Sequence, residues 1–245
     1  STLVDEILLL SHADTDLLTL RRAMEAAPDG LPRVRTASLN RVKTEEHLAA
    51  LEDDGGRVAR VVAARVHGGP DDLPGWRRLA QYARQTDLRL LLINAVGPTV
   101  PEFAAGSTVP PAVIERSAAY LQAGGAANME NLIRFLADDL LRADLGSSPP
   151  HVLPRHGVYH PDLPHETTVA EWVAHHDPSR PTVGILFYRA HWLSGNLDFV
   201  NALVDALEAT GANALPVFTD SLKEPSAASD RPAADWPAAF DFFYR

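Results

Sequence analysis

Three continuous apolar runs, separated by helix-like segments, most constrain what this chain can fold into. Residues 4–10, 57–66 and 88–93 are rich in Val, Leu, Ile and Ala and lack the alternation of a half-solvated strand. Between them, Ser11, Asp14 and Asp16 supply helix-start chemistry ahead of Leu17, Leu18, Leu20 and Met24. Residues 33–40 fit a second short strand. Residues 44–51 form a helix stopped by Asp54-Gly55-Gly56, and 76–86 carry Leu79, Tyr82 and Ala83 at helical spacing. Strands apolar on both faces and alternating with helices predict an α/β domain with a parallel, doubly wound sheet. Two more helices, 112–122 opened by Pro110-Pro111 and 128–142 with a stripe from Met129 to Leu141, are expected to pack on it.

Composition narrows the class. The chain has 245 residues, 46% of them hydrophobic, enough for a substantial core. Its 22 Lys+Arg against 32 Asp+Glu give a net charge of −10. That balance argues against nucleic-acid binding and against a polybasic membrane patch. The absence of cysteine removes disulfides, thiolate metal sites and Cys nucleophiles. No apolar run approaches the roughly 18–20 residues of a membrane helix, and the first residues given lack the basic n-region and apolar h-region of a signal peptide. A cytoplasmic protein is expected.

The organisation reads as three parts: an α/β domain over 1–145, a Pro/His-rich connector over 146–180, and the start of a second, incomplete α/β domain over 181–245. In the last part, 182–187 is a strand and 197–210 a helix with Val200, Leu203, Val204 and Leu207 on one face. Asn196 is placed to cap that helix and Gly211 to stop it, before a strand over 214–218. Residues 240–245 read as the opening of a third strand at which the sequence ends. So few elements cannot bury a parallel sheet, so the chain is expected to be part of a longer one.

The most informative segment is Tyr188-Arg189-Ala190-His191-Trp192-Leu193-Ser194-Gly195-Asn196. It follows a strand, at the carboxyl edge where open α/β sheets bind ligands, and precedes a helix N-terminus that favours anions. Tyr188, Arg189 and Asn196 are candidate substrate contacts and His191 a candidate base or ligand. The competing reading has Tyr188 and Trp192 packing the sheet edge, Arg189 pairing with an acid and Asn196 only capping. Seven of the ten histidines, His151, His156, His160, His165, His175, His176 and His191, fall between 151 and 191. Imidazole binds divalent metals, which makes His156 and His160 candidate ligands, although Gly157 and Pro161 argue against the helix that would align such a pair. His175-His176 fits a helix end. His12, Asp14 and His67 also follow strands, where turn and cap chemistry competes with a site. The sequence holds no G-x-x-x-x-G-K-[ST], G-x-G-x-x-G, G-x-S-x-G or H-E-x-x-H motif.

The block from Pro181 through His191 to Gly195-Asn196, with Leu203–Glu208 and Gly211–Phe218, resembles the CobN/magnesium chelatase H-subunit family. His156-Gly157-Val158-Tyr159-His160-Pro161, residues 126–141 and the opening 7–20 extend the likeness over most of the chain. Members are far longer, so the resemblance implies an N-terminal part of a chelatase large subunit. It implies a tetrapyrrole substrate and Co²⁺ as substrate metal, inserted into hydrogenobyrinic acid a,c-diamide in cobalamin synthesis. It also implies ATP hydrolysis by an AAA+ ATPase subunit acting with a companion chelatase subunit, ATP not being bound by this chain. Alternatives are a magnesium-type subunit acting on protoporphyrin, a non-catalytic scaffold for the ATPase subunits, and an unrelated α/β module for a small anion.

Overall fold

The three apolar runs of the first hundred residues supply three strands of one four-stranded sheet, and residues 34–38 the fourth. A computed structural model describes residues 6–54 and 57–244. The chain divides into two compact units, one up to Val152 and one from Leu153.

In the first unit, β1 (Ile7–Ser11), β2 (Val34–Ser38), β5 (Val61–Val66) and β6 (Arg89–Asn94) lie in the order β2-β1-β5-β6, all parallel. Alternate residues serve opposite faces. Ile7, Leu9, Val61, Ala63, Leu91 and Ile93 are buried against α1 (Asp14–Ala26), α5 (Pro111–Ala123) and α6 (Ala126–Leu141). Leu8, Leu10, Val62, Ala64, Leu90 and Leu92 are buried against α2 (Glu45–Glu52), α3 (Trp76–Gln85) and α4 (Pro101–Gly106). The doubly wound expectation holds. Two local readings do not. Residues 57–66 are not one strand: Arg57–Val58 (β4) pairs antiparallel with Asp53–Asp54 (β3), and the sheet strand starts at Val61, whose N–H donates to the Glu6 carbonyl at 2.9 Å. Helix α4 was not expected; Pro101 sits in its first turn, where no backbone donor is needed.

The strand order reverses between β1 and β5, and His12 and His67 follow those two strands. The His67 N–H donates to His12 Nδ1 at 3.0 Å, a bond only neutral His12 accepts. Asp14 does turn chemistry, accepting from Ser38 Oγ at 3.1 Å. Behind it, Arg65 Nη1 donates to both carboxylate oxygens of buried Asp16, at 3.0 and 2.9 Å.

The second unit is a mixed three-stranded sheet in the order β7-β9-β8, from β7 (His156–Val158), β8 (Thr182–Tyr188) and β9 (Asn213–Thr219). β8 and β9 are parallel, as the β-α-β reading requires; β7 runs antiparallel to β9. The stretch expected as connector therefore supplies a sheet strand and helix α7 (Val169–His175), whose C-cap is His176, the helix end anticipated there. Helices α8 (Arg189–Ser194) and α9 (Asp198–Ala209) cover one face through Trp192, Val200 and Val204, which meet Phe187 and Phe218. The other face packs Leu215 and Val217 on Trp172, Phe242 and Phe243. Residues 238–242 form a 3₁₀ turn rather than a third strand. Pro237 opens the turn, and Asp241 anchors it by accepting from Ser226 and Arg231. Gly184 leaves room for the Phe243 ring; a Cβ there would lie 2.5 Å from it.

Two outcomes follow from this packing. Leu9→Ala, in the middle strand pair and 1% exposed, should cost about 2–5 kcal/mol in urea denaturation. Val96→Ala, 82% exposed, should change it by less than about 0.5 kcal/mol. Burial, then the neighbouring His67 and Lys43, hold the His12 pKa below its ordinary 6.5 against the opposing pull of Asp72. The contribution of His12 is complete above pH 6.5 and is lost as pH falls below it, because the unfolded chain then binds the extra proton. Urea midpoints at pH 7.5 and 5.5 should drop less in His12→Asn than in the parent chain.

Candidate functional site

The 188–196 segment is not a loop. Tyr188 ends β8, and the next six residues make helix α8, stopped by Gly195 in the left-handed conformation at φ 72°. This helix turns Trp192 inward, fully buried, with its ring stacked on Phe218 at 4.0 Å and on His165 at 4.4 Å. Its Nε1–H donates to the His165 carbonyl at 3.1 Å. One face of the His165 ring is covered by this contact, and burial holds its pKa below the ordinary value.

The other side chains of the segment diverge. Arg189 turns back, donating from Nε to the Pro154 carbonyl at 2.8 Å and from Nη2 to the Leu153 carbonyl at 3.1 Å. Its half-buried guanidinium straps the chain entering β7, and burial lowers its pKa. Tyr188 is 65% exposed and lies on the strand face of Leu186 and Gly184. His191 meets Phe199 edge-on at 4.9 Å. Asn196 is exposed and does not cap α9: the N-cap position is Leu197, which offers no side-chain oxygen. Among the described residues no hydrogen bond joins Tyr188, Arg189, His191 and Asn196 to one another.

Beside β8 lies an aromatic recess of about 650 Å³, lined by Trp172, Gly184, Leu186, Trp236, Phe240 and Phe243 among others. Tyr188 lies on the same strand face, beyond the residues that line the recess. The recess arises because the 3₁₀ turn packs rings, rather than a strand, against β8.

The two histidines considered as ligands fall into separate groups. His156 Nδ1 is within hydrogen-bond distance of Thr219 Oγ1 at 2.7 Å, and its Nε2 of Glu224 at 3.1 Å. Its acidic neighbours, Asp220 and Glu224, are both claimed by Arg155 at 2.7 Å. His160 is buried and donates from Nε2 to Glu208 on α9 at 2.7 Å; Asp162 and His175 complete its group. Sequence reading missed Asp162 and Glu208. No spacing rule reaches Glu208, which lies 48 residues from His160.

With this geometry in hand, known proteins place the chain. The CobN/Magnesium Chelatase family model matches residues 118–238. Aerobic cobaltochelatase subunit CobN of Pseudomonas aeruginosa is 32% identical over 222 residues, taking in 89% of this chain and 18% of that protein. The magnesium-chelatase H subunit of Rhodobacter capsulatus is 30% identical over 109 residues, 42% of this chain and 9% of that protein. The solved catalytic subunit of cobaltochelatase from Mycobacterium tuberculosis matches with a TM-score of 0.68 at 27% identity, covering 91% of this chain and 17% of that one. The chain thus spans under a fifth of the length of the relatives it matches. Sequence likeness along nearly the whole chain and the matching α/β fold agree that it belongs to the CobN/magnesium chelatase family.

Proposed function

We propose that this chain is part of the large subunit of an ATP-dependent cobaltochelatase, a cytoplasmic complex that inserts Co²⁺ into hydrogenobyrinic acid a,c-diamide in cobalamin biosynthesis. Coverage carries the reading. Proteins named as cobaltochelatase align with 89% and 91% of the chain, whereas the magnesium-chelatase H subunit aligns with 42%. The chemistry of this segment is compatible. Metal insertion needs a surface that holds a flat, carboxylate-bearing macrocycle and a group that takes ring N–H protons as the ion enters. The aromatic recess, with exposed Tyr188 further along the same strand face, offers ring faces for the macrocycle. His191 is the candidate base, and Asn196 a donor to a peripheral carboxylate or amide. Arg189, with two nitrogens on backbone carbonyls, adds positive charge near the segment. ATP hydrolysis belongs to an AAA+ partner with its companion subunit, in keeping with the missing Walker loop. Chelation by this chain alone is not expected, since it spans under a fifth of its relatives.

The test is a titration of the chain with hydrogenobyrinic acid a,c-diamide, followed by the fluorescence of Trp172 and Trp236 in the recess, with protoporphyrin as the comparison. Saturable quenching is expected with the corrin precursor. A Tyr188→Ala/His191→Ala double variant should bind at least about tenfold more weakly, the loss of one good contact at 1.4 kcal/mol per decade. Absence of binding by the folded chain, or binding indifferent to the double variant, would move the macrocycle off this surface and favour a scaffold for the ATPase subunits.

A further inference from the structure

We infer that His160, Asp162 and His175, backed by Glu208, form a site for a resident divalent transition-metal ion in the second unit. The inference rests on this side-chain cluster and not on the macrocycle reading. Asp162 Oδ2 lies 3.8 Å from His160 Nδ1 and 4.0 Å from His175 Nε2, and the two imidazole centroids are 4.7 Å apart. The three ligand atoms all fall within 4.8 Å of one another. They border a recess of about 280 Å³ that also reaches Glu208, roomy enough for an ion with water ligands.

The tautomer of His160 is already the one a metal needs. The Asp162 N–H donates to Nδ1 at 3.1 Å, so Nδ1 carries the lone pair. Nε2 carries the proton and donates it to Glu208 at 2.7 Å. A carboxylate holding the far N–H of an imidazole is the usual second layer of a metal-bound histidine; it fixes the ring and raises ligand basicity. His160 is 1% exposed and held in place, while Asp162 and His175 have side chains 66% and 37% exposed. A tetrahedral ion with bonds of about 2.0–2.2 Å sets its ligand atoms roughly 3.3–3.5 Å apart. Asp162 therefore needs to close by about half an ångström on each imidazole, and the two imidazole nitrogens by at most about 1.4 Å, with Nδ1 exchanging its backbone N–H for the ion.

Two imidazoles and one carboxylate select Zn²⁺, Co²⁺ or Ni²⁺ over Mg²⁺ or Ca²⁺, which prefer all-oxygen shells. The neighbouring cation does not compete, because Arg180 pairs with Asp177 at 3.4 Å. At His156 the place of a metal is taken instead by Arg155, bonded to both acidic neighbours.

The experiment titrates the 245-residue chain with Zn²⁺ by calorimetry and with Co²⁺ by visible absorption, with Mg²⁺ alongside. One equivalent of Zn²⁺ or Co²⁺ should bind, with Mg²⁺ not competing. His175→Ala and Asp162→Asn should each weaken binding at least about tenfold, and Glu208→Gln about ten- to a hundredfold. The first two substitutions are at exposed side chains, so the metal-free Tm should hold and separate lost ligation from lost folding. No binding by the folded chain overturns the site. So does binding that survives both His175→Ala and Asp162→Asn, or binding lost only in His156→Ala.

Discussion

The second unit depends on one stack of rings. Trp192 lies flat between Phe218 of the sheet and His165 of the segment that follows β7, at 4.0 and 4.4 Å, with planes 10° and 3° apart. A three-stranded sheet is close to the smallest that holds together, and it needs a large apolar body on one face. Trp192 supplies that body from a helix of only six residues, too short to be stable by itself. Its Nε1–H, which would be costly to leave unpaired, ties the helix to the His165 carbonyl. With Trp192 facing inward, Arg189 and His191 on the same short helix are turned elsewhere. Arg189 reaches back to two carbonyls and His191 is left against Phe199. The candidate substrate contacts owe their placement to the packing demand of the residue between them.

The first unit solves the same problem with more material. Three of its four parallel strands are buried on both faces, so neither face needs polar residues and those strands become nearly unbroken apolar runs, while the edge strand β2 is half-buried and mixed. That is why most of its sheet is legible in the sequence, whereas the six-residue helix α4 is not. The one strand misjudged, 57–66, was read too long because Arg57-Val58 has the same composition as the sheet strand but pairs in a separate ribbon. Composition reports what a strand is made of and not which partner it takes.

The second unit was legible in its β-α-β core and illegible at its margins. The strand at His156–Val158 has only three residues, one of them glycine and one histidine, and no hydrophobic pattern to betray it. Phe240–Tyr244 carries strand-forming residues, yet the Phe243 ring fills the space over Gly184, and the tertiary demand overrides local propensity. Asn196 had the chemistry of a cap, but the helix begins two residues later, with Leu197 at the cap position. For the site, the histidine cluster was visible as a cluster, and the partners that give each ring its role were not. Those partners, Thr219, Glu224 and Glu208, arrive from β9, the segment after it and α9.

His156 and His160 show why ligand inventory alone does not define a metal site. Each has a carboxylate on Nε2 and another acid close by. Around His156, however, Nδ1 is paired with a hydroxyl, and a guanidinium already bridges Asp220 and Glu224. An ion entering there would have to displace a full positive charge that makes directional bonds to both acids. Around His160, Nδ1 holds only a neutral backbone N–H, and the guanidinium that borders the recess, Arg180, pairs with Asp177. The carboxylate of Asp162 thus faces two imidazoles and, among the described residues, no Lys or Arg. In a chain of net charge −10, acids near histidines are common. What separates the two groups is whether a positive charge has already been supplied by the protein.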